Sequence, residues 1–147
     1  MGEEILRVQF TLPLPPSINR QYARAGRRRV LSKEAKSFKK EVAGRIHRLR
    51  VEGVISDAFV EALQKGWVGV FMDMYFESPL KRDLDGGLKI TLDAMLDSLG
   101  VNDNRVVDIH LVKRMDPLRP RVEVELEAIP GWQFSPEYAY REESERG

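Results

Sequence analysis

Apolar and polar positions alternate from Ile5 to Leu12, with Leu6, Val8, Phe10 and Leu12 on one side, the two-residue period of a half-buried strand. Pro13, Pro15 and Pro16 end it, because proline offers no donor to a strand ladder, and Ser17 to Arg29 then reads as a basic surface loop without periodicity. From Ser32, a candidate N-cap, the residues Ala35, Phe38, Val42, Ile46 and Leu49 recur three and four apart. That spacing predicts a helix with one apolar stripe, ending near Gly53, and an outer face carrying Lys36, Lys40 and Arg50. Ser56 to Lys65, with Phe59, Val60 and Leu63, predicts a brief second helix closed by Gly66.

Trp67 to Phe76 is rich in β-branched and aromatic residues and has Asp73 as its one charged residue, which predicts a central strand covered on both faces. A break at Ser78 and Pro79 leads to Lys81, Arg82, Asp83, Leu84 and Asp85, and then to a helix from about Asp85 with Leu88, Leu92, Met95, Leu96 and Leu99 as its buried stripe. Gly100 closes that helix. Val106 to Arg114 and Arg121 to Ile129 read as two more strands on either side of a loop holding Pro117 and Pro120. In the last of them Glu123, Glu125 and Glu127 alternate with Val122, Val124, Leu126 and Ala128, a solvated antiparallel face rather than a metal site. The sum is one small α/β (α+β) domain over residues 1–130: a mixed sheet of about four strands with two main helices. Residues 131–147 form a polar tail too poor in apolar groups to order itself.

A length of 147 residues suits a single core. The absence of cysteine removes disulfides, thiolate zinc sites and thiol nucleophiles. Met1-Gly2-Glu3-Glu4 does not open a secretory leader, and nowhere do about 18 apolar residues run together, so the expectation is a cytoplasmic protein without a membrane partner. The net charge of +1 conceals an asymmetry. Residues 20–50 hold 12 Lys and Arg against Glu34 and Glu41, a local +10, while the remainder carries 12 basic and 21 acidic residues, or −9. Such a block points to a polyanion partner, with Arg20, Arg24, Arg27, Arg28, Arg29, Lys33, Lys36, Lys40 and, further on, Arg82 as candidate phosphate contacts.

Candidate chemistry narrows the picture further. His47 and His110 are far apart and lack paired carboxylate spacing, and no glycine-rich phosphate loop or Gly-x-Ser-x-Gly elbow is present, which removes nucleotide-cofactor and serine-hydrolase readings. Asp83 and Asp85, two residues apart, can turn their carboxylates to one side of an extended backbone, and Asp103 adds a third in the turn after the helix. Oxygen ligands of this kind suit Mg²⁺, with Mn²⁺ able to substitute. Lys89 lies one helical turn beyond Asp85, within reach of a metal site or a phosphate. Taken singly, each residue also has a structural reading: Asp85 as an N-cap, Asp83 on the helix dipole, Asp103 and Asn104 as turn formers, Lys89 paired with Asp85 or Asp93. Together with the basic block they fit metal-assisted phosphodiester hydrolysis.

The run Arg82-Asp83-Leu84-Asp85, then Lys89, Asp93, Asn102-Asp103 and Val106-Val107-Asp108, resembles the signature of RusA-type crossover junction endodeoxyribonucleases. Phe10-Thr11-Leu12-Pro13 with Pro15-Pro16-Ser17, Asn19 and Tyr22, a basic turn and Ser32 opening a helix resembles the family's N-terminal half. The resemblance implies a RusA-like fold and a homodimer that binds four-way DNA junctions and nicks them symmetrically in DNA recombination and repair. It implies Mg²⁺ held by Asp83, Asp85 and Asp103, Lys89 as the catalytic lysine, and Asp108 as a candidate second-layer group. The family usually carries Asn where this chain has Gly86 and an Asp-Asp pair where it has Asn102-Asp103, and the connection to Asp103 is about one residue shorter here. Gly86 and Gly87 weaken the helix start by roughly 1 to 2 kcal/mol relative to alanines, which implies mobility or a close approach of backbone to DNA. Two other readings share these residues: a branched-DNA-binding protein with weak or no cleavage, and a metal-dependent flap or duplex nuclease.

Overall fold

The computed structural model describes residues 6–135. In chain order it comprises β1 (Arg7–Leu12), a 3-10 turn (Ile18–Arg20), β2 (Tyr22–Ala25), β3 (Arg28–Leu31), α1 (Lys33–Val51), α2 (Asp57–Lys65), β4 (Trp67–Phe76), α3 (Leu88–Leu99), a second 3-10 turn (Asp103–Arg105), β5 (Val106–Met115) and β6 (Arg121–Ile129). The main sheet has the order β1-β6-β4-β5 and is mixed: β6 runs antiparallel to β1 and β4, whereas β4 and β5 are parallel. This is the small mixed α/β architecture expected, with α2 present as a third, shorter helix.

Serine side chains start two of the helices: Ser32 Oγ accepts from the Ala35 N–H and Ser56 Oγ from the Phe59 N–H, each at 3.1 Å. Gly100, at φ +67°, ends α3 in the left-handed conformation that glycine adopts without steric cost. Val68, Val70, Met72, Met74 and Phe76 of β4 point to one face and are buried there with alternate residues of β1 and β6. Ala35, Phe38, Val42 and Ile46 of α1 and Ala94, Met95 and Leu99 of α3 close the same core. The glutamates of β6 lie on the opposite face, where Thr11 Oγ1 donates to Glu123 at 2.7 Å and Gln9 Nε2 to Glu125 at 2.9 Å.

Three expectations need correction. Ser17 to Arg29 is not an irregular loop: β2 and β3 form a separate two-stranded hairpin whose two-residue turn uses Gly26 at φ +65°. No apolar alternation marks it because all four residues of β2 are exposed and only Val30 and Leu31, at the end of β3, are half-buried. β4 is central in the sheet but covered on one face only, since Trp67, Phe71, Asp73 and Tyr75 are half-buried. Neighbouring side chains shield that second face: His110 stacks on Phe71 at 4.5 Å and Arg121 lies over Tyr75 at 4.0 Å. Finally, α3 begins at Leu88 rather than Asp85, and its buried stripe adds Ile90, Thr91 and Ala94, with Leu88 and Leu92 only partly covered.

Of the expected tail, residues 136–147 lie outside the described residues, while Phe134 packs edge-on against Trp67 at 5.1 Å between centroids. Ser32, 7% exposed, also donates its hydroxyl to the Arg20 carbonyl and so joins α1 to the base of the hairpin. Ser32→Ala removes both the cap and that bond. A loss of about 1 to 2 kcal/mol is expected in urea unfolding monitored by circular dichroism, and an unchanged midpoint would contradict the role assigned to the cap.

Candidate active site

Asp83 to Leu88 forms two overlapping turns, in which the Gly86 N–H donates to the Asp83 carbonyl at 3.4 Å and the Leu88 N–H to the Asp85 carbonyl at 3.1 Å. Gly87, the residue before α3, contributes no side-chain cap, and its carbonyl accepts from the buried Thr91 hydroxyl at 2.7 Å. Asp85 therefore does not serve as the N-cap. Asp83 and Asp85 are both exposed, and no ion pair among the described residues involves either carboxylate. Their oxygens are open to an incoming cation.

The turn is held from several sides. A Cβ added at Gly87 meets Pro15 Cγ at 2.3 Å, so only glycine lets the Pro15-Pro16 segment lie across the start of α3. The close approach inferred for these glycines is thus made to the protein's own chain at Gly87. At Gly86 the nearest atom to an added Cβ is the Asp83 carbonyl oxygen at 3.6 Å, ordinary contact, so the family's asparagine has room there. Arg82 is half-buried: its guanidinium donates to the Pro15 carbonyl at 2.7 Å and lies 5.1 Å from the Phe76 ring. Burial draws its pKa below the usual arginine value, though an arginine remains cationic. Lys113 of β5 donates to the carbonyls of Pro79 and Arg82 at 2.9 and 2.8 Å, tying the approach to the turn onto the sheet.

Asp103 is not beside this pair. β4 and β5 are parallel, so the chain leaves β4 at one end of the sheet and must enter β5 at the other. Asp83 and Asp85 follow the end of β4, and Asp103 precedes the start of β5. The 12-residue α3 between them is about 18 Å long at 1.5 Å per residue. Asp103 instead lines a cleft with Asp93 and Asp97, and among the described residues no group of three or more His, Asp or Glu is close enough to hold a metal ion. Lys89 is exposed on the same side of α3 and pairs with Asp93 at 3.8 Å, not with Asp85. Asp108 points to the sheet's other face, in register with Gly69, and pairs with His110 at 3.2 Å.

The basic candidates are drawn together more closely. Arg24, Arg27, Arg28 and Arg29 stand exposed on the hairpin, with Arg29 stacked 3.9 Å over the Tyr22 ring, and Arg20 is exposed just before it. Lys33, Lys36 and Lys40 stand exposed along α1, opposite its buried stripe. Two residues missed in the sequence bind the parts: Lys113, described above, and Gln21. The latter is 4% exposed and donates from its side chain to the carbonyls of Pro16 at 3.0 Å and Gly86 at 2.8 Å. Neither has a local signal, because their partners lie 31 or more residues away for Lys113 and 65 away for the Gln21–Gly86 bond.

The fold is a mixed α/β domain with a carboxylate turn beside an arginine-rich hairpin, and residues 13–127 match the family described as Endodeoxyribonuclease RusA. The chain belongs to that family and is an endodeoxyribonuclease. It is similar to the crossover junction endodeoxyribonuclease rusA of Enterobacteria phage HK97, with 28% identity over 106 residues, 71% of this chain and 81% of the relative.

The contrast between the two glycines can be tested directly. Gly87→Ala is expected to cost about 1 to 3 kcal/mol through overpacking against Pro15, whereas Gly86→Asn stays near wild type. Thermal melts of the two variants check this, and equal melting temperatures would contradict the packing described.

Proposed function

We propose that the protein resolves four-way DNA junctions as a homodimer, using Mg²⁺, or Mn²⁺ in its place, held by Asp83, Asp85 and Asp103. The observation that carries this reading is a turn with two exposed carboxylates, unpaired among the described residues and braced against an arginine hairpin, in a chain of the RusA family. The name of the phage relative supports a junction as the substrate. Hard divalent cations take one or two carboxylates with water and substrate phosphate, so the donors present fit the ion. When bound, the ion neutralises charge at the scissile phosphate and lowers the pKa of a water.

The chain's own groups supply the rest. Arg20, Arg24, Arg27, Arg28 and Arg29 with Lys33, Lys36 and Lys40 take phosphates, giving strong salt dependence without reading bases. Arg82, turned inward onto Pro15, holds the turn that carries its two aspartate neighbours. Lys89 is exposed and, among the described residues, held only by a long ion pair to Asp93, which costs little to break when a phosphate arrives.

A homodimer accounts for two features left open by the single chain. Among the described residues β5 pairs only with β4, and its outer edge is a ten-residue strand with Ile109, Val112 and Met115 exposed, the kind of edge that recruits another strand. Antiparallel pairing with the β5 of a second copy brings the start of one strand beside the end of the other. Asp103 of the partner subunit then approaches Asp83 and Asp85, and each of two equivalent sites draws its acids from both chains. Two such sites suit a junction of near two-fold symmetry.

The test is cleavage of an end-labelled synthetic four-way junction, beside a flap and a plain duplex, with Mg²⁺ or EDTA. Paired nicks at symmetric positions on the junction alone are expected, absent with EDTA and absent for Asp85→Asn. Equal cutting of flap and duplex would make this a general branched- or duplex-DNA nuclease, and tight junction binding without cutting in Mg²⁺ or Mn²⁺ would overturn the cleavage reading for this chain.

A further inference from the structure

We propose that Gln21 is a positioning residue that fixes the Asp83–Asp85 turn relative to the arginine hairpin, so that binding of DNA and alignment of the carboxylates form one event. The inference rests on the reading of that turn as the metal site. Gln21 lies at the junction of four segments. Its backbone N–H donates to the Ile18 carbonyl at 3.4 Å within the 3-10 turn, and its carbonyl accepts from the Ser32 N–H at 2.9 Å at the start of α1. Tyr22, the next residue, opens the hairpin. The side chain then reaches across to the Pro16 and Gly86 carbonyls, the latter one residue beyond Asp85.

The chemistry of these contacts is specific. Both partners are carbonyl oxygens, so both side-chain N–H donors of the amide are used, and the orientation of the amide is dictated by its neighbours. At 4% exposure the group has little water to replace a lost partner, so removing the donors leaves two shielded carbonyls unpaired on that side. Gly86 has no side chain of its own to hold its peptide, and the remaining bond from the Gly86 N–H to Asp83 is long at 3.4 Å. Gln21 is thus the contact that joins the peptide after Gly86, one unit beyond Asp85, to the element that carries Arg24, Arg27, Arg28 and Arg29. A carboxylate pair displaced by an ångström loses rate steeply, whereas phosphate contacts on the exposed hairpin tolerate the same shift.

The test separates binding from cutting. Junction affinity is measured without metal and single-turnover cleavage across a Mg²⁺ titration, for the wild type, Gln21→Met, which keeps the bulk but has no donor, and Asp85→Asn. The inference expects Gln21→Met to bind the junction like wild type, to cut about 10- to 100-fold more slowly, and to need more Mg²⁺ for half-maximal rate. If Gln21→Met proves unfolded by circular dichroism, Gln21→Asn, which keeps the amide but is too short to span both carbonyls, takes its place with the same expectation. Affinity and rate falling by the same factor would reduce Gln21 to a structural residue and overturn the inference, as would wild-type cutting. Asp85→Asn distinguishes the two levels: if it cuts normally the carboxylate-turn reading fails, and if it is inert while the Gln21 variants cut normally, only the role of Gln21 fails.

Discussion

A parallel pair of strands joined by one helix must return the chain to the end of the sheet from which the first strand began, and this constraint governs the protein. β4 and β5 are such a pair, with α3 as the crossover. The two segments that carry the candidate acids are the turns at either end of that helix, so the helix that connects them also holds them about 18 Å apart. No side-chain rotamer spans that distance. The stiffness that gives α3 a well-packed apolar face, with Thr91, Ala94 and Met95 against the core, also divides its carboxylates between the two ends of the sheet. In the function we propose, a second copy rather than a flexible loop completes the site.

The other organising feature is local. The Pro15-Pro16 segment, the turn at Asp83 to Gly87 and the end of β5 meet in a small polar knot of carbonyl oxygens capped by cationic or amide donors: Arg82 on Pro15, Lys113 on Pro79 and Arg82, Gln21 on Pro16 and Gly86. Each donor satisfies a carbonyl that no strand or helix would reach, which gives the irregular backbone a defined shape. The absence of a side chain at Gly87 lets the knot close. A cutting site on a loop needs this kind of support, because loops without it move too much to hold a phosphate in line.

Most of the fold was legible from periodicity. α1, α2 and the strands β1, β4 and β6 stand where two- and four-residue spacings of apolar side chains put them, because each buries one face in a common core, while β5 stands where its run of β-branched and apolar residues put it although only Val106 and Leu111 pack against that core. The hairpin was not legible, since an exposed β2 and a β3 half-buried only at Val30 and Leu31 leave no alternation, and Gly26 alone was too weak a mark. At the candidate site, the motif around Asp83 and Asp85 and the basic character of residues 20–50 were plain in the sequence. The distance of Asp103, the outward turn of Asp108 toward His110 and the parts played by Gln21 and Lys113 depend on which strand neighbours which, and strand order is not written in local spacing.

The central claim is that one site takes its acids from two chains, and subunit mixing tests it most directly. Asp85→Asn and Asp103→Asn proteins, each inert alone, are combined, exchange of subunits is verified by mass, and cleavage of a four-way junction in Mg²⁺ is followed. The account predicts that cutting returns as single nicks, because each mixed dimer has one intact site built from Asp83 and Asp85 of one chain and Asp103 of the other. A mixture that has formed heterodimers yet stays as inert as its parents would contradict it, and would require all three aspartates to act within a single chain.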